Sequence, residues 1–590
     1  MKTSQTNNRA LVVFGKDFSR GLITNRKFDT IVADKIFQKK VEDLGCQFVE
    51  IDTLIDSGSI YEADTLLKEL SGLTFHDGKR ISKSFTYKGY ELWWMNHGSI
   101  FLYFCLPYTQ YKKLLKYLKN FQSVSFLKPP YKSLFSSYLS AYGCKFSTLK
   151  ESKLRSSKLL PFGVFLQIFI TLLSIPILIV GKRRIVLFTG DKFEKNKDYD
   201  FRMKFIYKEL RKRNLPFVEF IRSLESWKTV LKHAIKRRRP VIYPQGVIFI
   251  GRFMSIISGG RRRAKAKFGA HTFVSVTDPE EMFKFLVATQ YILTVYDDIW
   301  SIRIMKLILR IIGIKATLIT AATERSFQTI LGCKLNNIPT VGILHGVVSC
   351  YSAPYDFMPG FDGEKMLSVD KYGLWSEWWK EYYVKNSKAY KPEQLHVSGP
   401  MRPLEVSKKT NIKAKSQDGP VRVLFIAEQT VAPNEAMPYL RKLLDQQNIE
   451  LTIKFRPYHD GFEEWIIKNE SQILKLQHIK IIKGGMQVAI QDADVVVGAR
   501  STGVLEALLQ FKIPIFLRTR KWGDYYNLTK SNEGRHFFAE NPTELIEKIN
   551  GARAIPHKLI IDMSEKYFGD VYKNGSKWVI DSVENFFKKS

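Results

Sequence analysis

Acidic residues are scarce in this chain. Its 590 residues include 57 Asp and Glu against 92 Lys and Arg, a formal charge of +35. An excess of that size calls for an anionic partner: nucleic acid, a phospholipid surface or a phosphorylated substrate. Cysteine is scarcer still. The five (Cys46, Cys105, Cys144, Cys333 and Cys350) are scattered and form no C-x-x-C pair, which argues against a disulfide framework or a zinc site and suits a reducing compartment. Zinc-finger spacing and RRM-type aromatic motifs are also missing, so nucleic acid is not the expected partner. The opening MKTSQTNNRA is polar and the apolar run Leu11 to Phe14 is short, so no cleavable signal peptide is expected. Hydrophobic residues at 45% and charged residues at 25% describe a globular protein of several domains.

Taken in order, Ala10 to Gly15 predicts a buried strand, about Asp29 to Leu44 a helix, and Gln47 to Ile51 a second strand. This β-α-β opening marks an α/β layer. Residues 83–105 are aromatic-rich, with Trp93 and Trp94 near His97, either as a sugar-stacking platform or as core. Tyr108 to Tyr142 reads as helical and basic. Residues 1–150 are thus an N-terminal α/β extension, either on its own or as part of the lobe that follows.

The one long uncharged run is Pro161 to Val180, about long enough to cross a bilayer. Basic residues flank both ends (Lys153, Arg155 and Lys158 before, Lys182 to Arg184 after), against the asymmetry of a simple span. A re-entrant or interfacial helix pair with both ends on the cytoplasmic face fits better, the alternative being a buried core helix. Residues 151–184 are therefore assigned as a membrane-associating segment. Two further basic clusters, Lys236 to Arg239 and Arg261 to Lys265, bracket apolar Phe249, Phe253, Ile256 and Ile257, a pairing that suits anionic headgroups.

A second α/β pattern covers 185–405: strands at Ile185 to Gly190, Tyr291 to Tyr296, Ala316 to Thr320 and Val341 to Leu344, with helices at Phe201 to Asn214 and about Glu324 to Leu335. His345-Gly346 ends the last of these strands, where open α/β sheets place ligands. The imidazole is a candidate base for a sugar hydroxyl or a hydrogen-bond donor to phosphate, the plain alternative being a satisfied loop histidine. Residues 406–420 are polar and aperiodic, a linker. A third core fills 421–590, with strands at Val421 to Ala427, Leu451 to Phe455 and Ile479 to Ile482. Within it, Ala489 to Leu517 reads as helix end, strand, tight turn, helix and strand. Arg500, Ser501, Thr502 and Gly503 open that helix, where free N–H groups and the dipole would bind an anion and Glu506 a ribose. Ser501 or Thr502 acting only as a helix cap is the alternative.

The succession Ile338 to Gly346 (IPTVGILHG), a tryptophan-containing helix, Val397 to Arg402 (V-S-G-x-x-R), a linker, Lys454 to Pro457 (K-x-R-P) and Ser501 to Ala507 (S-T-x-x-x-E-A) resembles GT-B glycosyltransferases of bacterial surface-polysaccharide assembly. CDP-glycerol glycerophosphotransferase and polysialyltransferase-like enzymes share that pattern. The likeness covers about Ile185 to Phe587, including Tyr572 to Ser576 (YKNGS). It implies a GT-B type α/β fold: two Rossmann-like lobes around a central cleft, with 185–405 as acceptor lobe and 421–590 as nucleotide-sugar lobe. It implies that Ser501 and Thr502 hold the donor phosphates, that Glu506 binds the ribose, that Lys454 and Arg456 neutralise the diphosphate, and that His345 and Arg402 act at the cleft. Arg456 stands where the family has a histidine. Two D-x-D triplets, Asp198 to Asp200 and Asp492 to Asp494, resemble the manganese motif of another glycosyltransferase class. No metal is expected, since GT-B enzymes use helix dipoles and basic side chains. The expected partners are a nucleotide sugar, a glycan or lipid-linked acceptor and an anionic membrane surface, at the cytoplasmic side of the cell membrane. A CDP-polyol phosphotransferase and a non-catalytic glycan- or polyanion-binding protein are the other readings.

Overall fold

The computed structural model describes residues 8–15, 28–75, 77–149, 159–191, 199–223, 225–237, 239–269, 276–319, 326–346, 348–351, 354–404, 419–428, 430–456 and 461–589. Asp198, and the linker between 405 and 418, lie outside them. The described chain builds three parallel sheets. In the first, β1 (Arg9–Val13), β2 (Thr30–Ala33), β3 (Gln47–Glu50), β6 (Ser123–Leu127) and β7 (Lys145–Leu149) lie in the order β3-β2-β1-β6-β7, and β4 (Thr86–Tyr87) and β5 (Tyr90–Glu91) form a separate hairpin. The second contains β8 (Ile185–Gly190), β9 (Phe217–Arg222), β10 (Val241–Ile242), β11 (Ala316–Ile319), β12 (Thr340–Ile343), β13 (Lys371–Leu374) and β14 (Leu395–Val397), in the order β10-β9-β8-β11-β12-β13-β14. The third holds β15 (Val421–Ile426), β16 (Ile449–Phe455), β17 (Ile479–Lys483), β18 (Val495–Gly498), β19 (Ile513–Leu517) and β20 (Phe538–Ala539), in the order β17-β16-β15-β18-β19-β20.

Each sheet runs outward from its first strand, reverses and continues on the other side, the doubly wound order that opens a ligand crevice where the direction switches. The apolar runs explain the strands. Ile185 to Leu187 and Val495 to Val497 are at most 1% exposed because helices cover both faces. The second and third sheets are the two Rossmann-like lobes of a GT-B type architecture. The chain crosses between them twice, since helix Gly575–Lys589 leaves the third lobe and packs on the second. There Val579, Ile580 and Val583 are buried, and Arg213 bonds Asp581 at 2.7 Å and Glu584 at 2.5 Å. At the crossing the V-S-G-x-x-R turn and the YKNGS tail meet backbone to backbone. Gly399 has φ +81°, and a side-chain carbon at Gly575 would lie 2.4 Å from its carbonyl oxygen. Both positions therefore require glycine.

Several sequence expectations are corrected. The helix expected over Asp29 to Leu44 is strand β2 followed by the short helix Gln38–Glu42, because Thr30 to Ala33 is β-branched-rich and buried between β1 and β3. Tyr108 to Tyr142 contains helices Leu106–Leu118 and Lys132–Ala141 with β6 between them. Tyr291 to Tyr296 is no strand but the junction of helices Pro279–Ile292 and Val295–Ile312. The helix pair expected over Pro161 to Val180 is one helix, Leu159–Val180, with Pro176 inside it. The aromatic platform is core: Trp93 and Trp94 are buried, and His97 Nδ1 lies 2.6 Å from the Trp94 carbonyl oxygen.

Asp356 anchors a tyrosine cluster between the first two sheets. It accepts from Tyr390 at 3.2 Å and faces Tyr383 at 3.5 Å. Burial pushes its carboxyl up to about 7, and the two hydroxyls only partly offset that. A carboxyl whose folded pKa is raised stabilises most below its unfolded pKa, and this contribution is lost as pH rises through about 7. Asp356→Asn should therefore melt higher than wild type at pH above 7 and no higher below 4, in paired thermal melts.

Candidate functional site

The third lobe's switch point lies between β15 and β18, and its crevice is built by the residues that leave those strands. Glu428 follows β15. Its carboxylate accepts from the N–H of Ala499 at 2.6 Å and of Arg500 at 3.0 Å, on the turn that follows β18. Burial raises the Glu428 pKa, and the amide bonds and the Arg500 charge pull it back. The open amide cradle expected at Arg500 to Gly503 is thus corrected: an internal carboxylate already fills its first half. Ser501 caps the short helix Thr502–Leu505 and accepts from Gly503 N–H at 3.1 Å. Beside Glu428 the carboxyl ends of β15 and β19 leave a cavity of about 10 Å³, room for about one water, between Phe425, Val431, Phe462 and Leu517.

Arg500 does not point freely into this space. Its Nε donates to Thr430 Oγ1 at 3.1 Å, its Nη1 to Tyr525 Oη at 3.3 Å, and its guanidinium lies 3.8 Å above the Trp522 ring. Tyr525 Oη also accepts from Ser349 N–H at 3.1 Å, joining the loop after His345 to the opposite lobe. Glu428, Thr430, Trp522 and Tyr525 were not singled out from sequence. The strand-end position of Glu428, two residues past a buried apolar run, is the signal that would have found it.

The second lobe presents His345 across the crevice. Leu344 N–H donates to Gly373 O at 2.8 Å, and Leu344 O accepts from Trp375 Nε1 at 2.6 Å, so the exit of β12 is fixed. The His345 ring is partly covered, but its Nδ1 is shut off from solvent and has no hydrogen-bond partner among the described residues. Burial lowers its pKa to about 4, aided by Arg202 and Arg402 and opposed by Asp200. The imidazole is therefore neutral at physiological pH. Gly346 backs onto the third lobe: a side-chain carbon there would lie 3.3 Å from Thr502 Oγ1.

Arg402 reaches across from the second lobe and pairs with Glu506 at 2.6 Å. The two residues expected to serve donor and ribose thus meet each other, and a ribose at Glu506 would share or displace that bond. Arg402 is 32% exposed and Glu506 10%. A double-mutant cycle on Arg402→Ala and Glu506→Ala should give a coupling of about 1 kcal/mol in thermal unfolding, modest because solvent reaches the arginine.

Lys454 and Arg456 lie farther off, at the carboxyl end of β16. Lys454 pairs with Ile426 in the ladder, and β15 separates β16 from β18. Two strand spacings, roughly 10 Å, therefore divide them from the Ser501 turn. Lys454 is 5% exposed. The crevice thus gathers His345, Arg402, Arg500, Ser501, Thr502, Gly503 and Glu506, with Lys454 and Arg456 on its flank.

Two of the D-x-D residues, Asp200 and Asp494, are occupied elsewhere. Asp200 accepts from Gly190 N–H at 3.1 Å and Arg202 Nε at 2.9 Å. Asp494 is gripped by Arg422 through its N–H at 3.1 Å and Nε at 3.0 Å. Among the described residues no group of three or more His, Cys, Asp or Glu could hold a metal ion.

No protein-family model matches this chain. No curated protein matches it in sequence. In structure it is similar to UDP-GlcNAc 2-epimerase from Neisseria meningitidis bound to UDP-GlcNAc, at 12% identity and TM-score 0.40, over 69% of this chain and 100% of the epimerase. It is likewise similar to Acinetobacter baumannii MurG, at 12% identity and TM-score 0.41, over 68% of this chain and 99% of MurG. A third likeness is to the glycotransferase of kitacinnamycin, at 10% identity and TM-score 0.42, over 68% and 98% of the two chains. Strand order and the crevice, rather than these likenesses, define the two lobes.

Proposed function

We propose that this protein transfers a glycosyl group from a nucleotide sugar, held by the third lobe, to a growing glycan or lipid-linked acceptor bound over the second. The observation that carries the reading is His345: a neutral imidazole with a shielded, unpartnered Nδ1, facing a helix N-terminus and the Arg402–Glu506 pair across an inter-lobe crevice. A buried polar atom without a partner asks for a function. In the proposed reaction His345 takes the proton of the acceptor hydroxyl through Nε2, the ring nitrogen opposite the shielded Nδ1, as that oxygen bonds to the anomeric carbon. The bond from that carbon to the donor phosphate breaks, and the nucleoside diphosphate leaves. Arg402 and the Thr502 helix terminus would stabilise the leaving charge, with Lys454 and Arg456 adding positive potential from the flank. Glu506 would accept hydrogen bonds from the ribose hydroxyls.

In this reading no metal takes part, and the reaction runs at the cytoplasmic face of a membrane. The five cysteines, all free, are in keeping with that compartment. The test is product analysis with a panel of nucleotide sugars and CDP-polyols, with and without EDTA. Transfer of sugar that survives EDTA supports the reading. Phosphate in the product would make the protein a phosphotransferase instead, and activity abolished by EDTA and restored by manganese would refute the metal-free step.

A further inference from the structure

Helix Leu159–Val180 is built inside out. Gln167, Thr171, Ser174 and Leu178, spaced along one stripe, are at most 4% exposed and face the protein. Thr171 Oγ1 accepts from Tyr243 N–H at 3.0 Å, and Ser174 Oγ accepts from Val241 N–H at 3.1 Å. Two side chains of the helix thus satisfy backbone donors on and beside β10, the edge strand of the second sheet, and seal an edge that would otherwise be open. The opposite face is apolar and uncovered: Phe162, Phe165, Phe169, Leu172, Leu173 and Ile177 are each 53–59% exposed. Fewer than a third of the residues from Phe162 to Val180 are buried. A core helix would show the reverse.

The apolar face continues onto a second helix. Helix Pro244–Ile257 crosses close to the first at Gly246, where a side-chain carbon would lie 3.2 Å from Ile168 Cγ1, and the rings of Phe165 and Phe249 meet edge to face at 5.8 Å. Beyond the crossing Phe253, Ile256 and Ile257 are 56%, 55% and 64% exposed. The same region is strongly basic, although Arg239 pairs with Glu219 at 2.6 Å and Arg261 with Asp297 at 3.2 Å. Between Ser226 and Thr277 there are twelve Lys and Arg and no Asp or Glu. Two such faces brought together would repel each other, whereas an anionic bilayer would attract them.

We propose that this face docks the protein on an anionic lipid leaflet, with helix Leu159–Val180 lying in the plane of the interface and not crossing it. Spanning would pull Thr171 and Ser174 off β10 and leave its N–H groups open. Lying flat keeps those bonds and sinks both apolar helices into the headgroup–acyl boundary while the arginines and lysines meet headgroups. The inference takes only the membrane setting from the proposed function. Vesicle binding needs no donor, so the failure of one is distinguishable from the failure of the other.

The test is flotation of the full chain with vesicles of phosphatidylcholine alone or mixed with phosphatidylglycerol. The double variants Phe165→Glu/Phe169→Glu and Phe253→Glu/Ile256→Glu alter exposed positions on separate helices, and circular dichroism melts verify that each folds. The protein should float with the mixed vesicles, about tenfold less with phosphatidylcholine alone or at raised salt, and each double variant should lose about tenfold. Flotation that survives Phe253→Glu/Ile256→Glu would mean a spanning helix and would overturn the flat arrangement. Absence of flotation with either lipid would overturn the docking surface, as would a dimer in sedimentation velocity that both variants dissolve, because a second copy would then cover the face.

Discussion

His345→Ala should slow sugar transfer by about 10³-fold while leaving nucleotide binding near wild type. The loss is expected in kcat because the imidazole acts on the acceptor proton and not on the nucleotide. Its surroundings also fix a pH signature. Burial and two guanidiniums depress its pKa to about 4, so the base stays unprotonated across the neutral range and transfer should show no acid limb from this group until pH approaches that value. The same shift has a stability consequence of known sign. Below the unfolded value near 6.5 the unfolded chain takes up a proton that the folded one refuses, so stability falls as pH drops from about 6.5 to about 4. His345→Gln should remove that part of the acid sensitivity, measurable as a smaller drop in melting temperature over this window. A catalytic loss without the change in acid sensitivity would place the histidine at the reaction but contradict the electrostatic account of its pKa.

Glu428→Ala should be the most destabilising single change in the crevice, by about 2–3 kcal/mol, because it strips the acceptor from the amides of Ala499 and Arg500. Glu428→Gln keeps the shape and one acceptor oxygen and should cost less. Because the folded carboxyl has a raised pKa, its stabilising contribution is greatest in acid and declines as pH rises through that value. The margin of wild type over Glu428→Gln should therefore shrink from acid to neutral pH. Removing this anion also clears the first amides of the β18 turn, so the alanine variant should bind inorganic phosphate or a nucleoside diphosphate more tightly than wild type does. Calorimetric titration of both proteins measures it. Equal affinity would show that the donor phosphates sit on Thr502 and beyond, clear of Glu428.

The parallel strands of the second and third sheets were legible because each is a short apolar run ending at a glycine or a polar turn. Val495 to Gly498 and Ile185 to Gly190 are examples, and both run as read. Errors fell where periodicity is silent. Thr30 to Ala33 is too short to separate strand from helix without its neighbours β1 and β3. Tyr291 to Tyr296 is apolar and aromatic enough to read as a strand, yet it joins two helices, and its Tyr291 ring packs edge to face on Phe104.

At the site, residue types located the crevice but not the partnerships within it. Ser501 caps the short helix Thr502–Leu505, and Glu506 stands at its other end. That Arg402 pairs with Glu506 from 104 residues away in sequence, and that Glu428 fills the amides, are tertiary facts no local pattern encodes. The tryptophan–tyrosine cluster that clamps Arg500 was equally silent, since Trp522 and Tyr525 lie in a loop with no period.

In the proposed function the crevice of the third lobe binds a nucleotide donor. A thermal-shift titration of the protein with CMP, CDP, UDP, GDP and their sugar or polyol conjugates tests it most directly, since a ligand that binds only the folded state raises the melting temperature. One nucleotide class should raise it, and the shift should vanish in Glu506→Ala and shrink in Ser501→Ala. No shift with any member, or a shift unchanged in both variants, would contradict a donor site in this crevice.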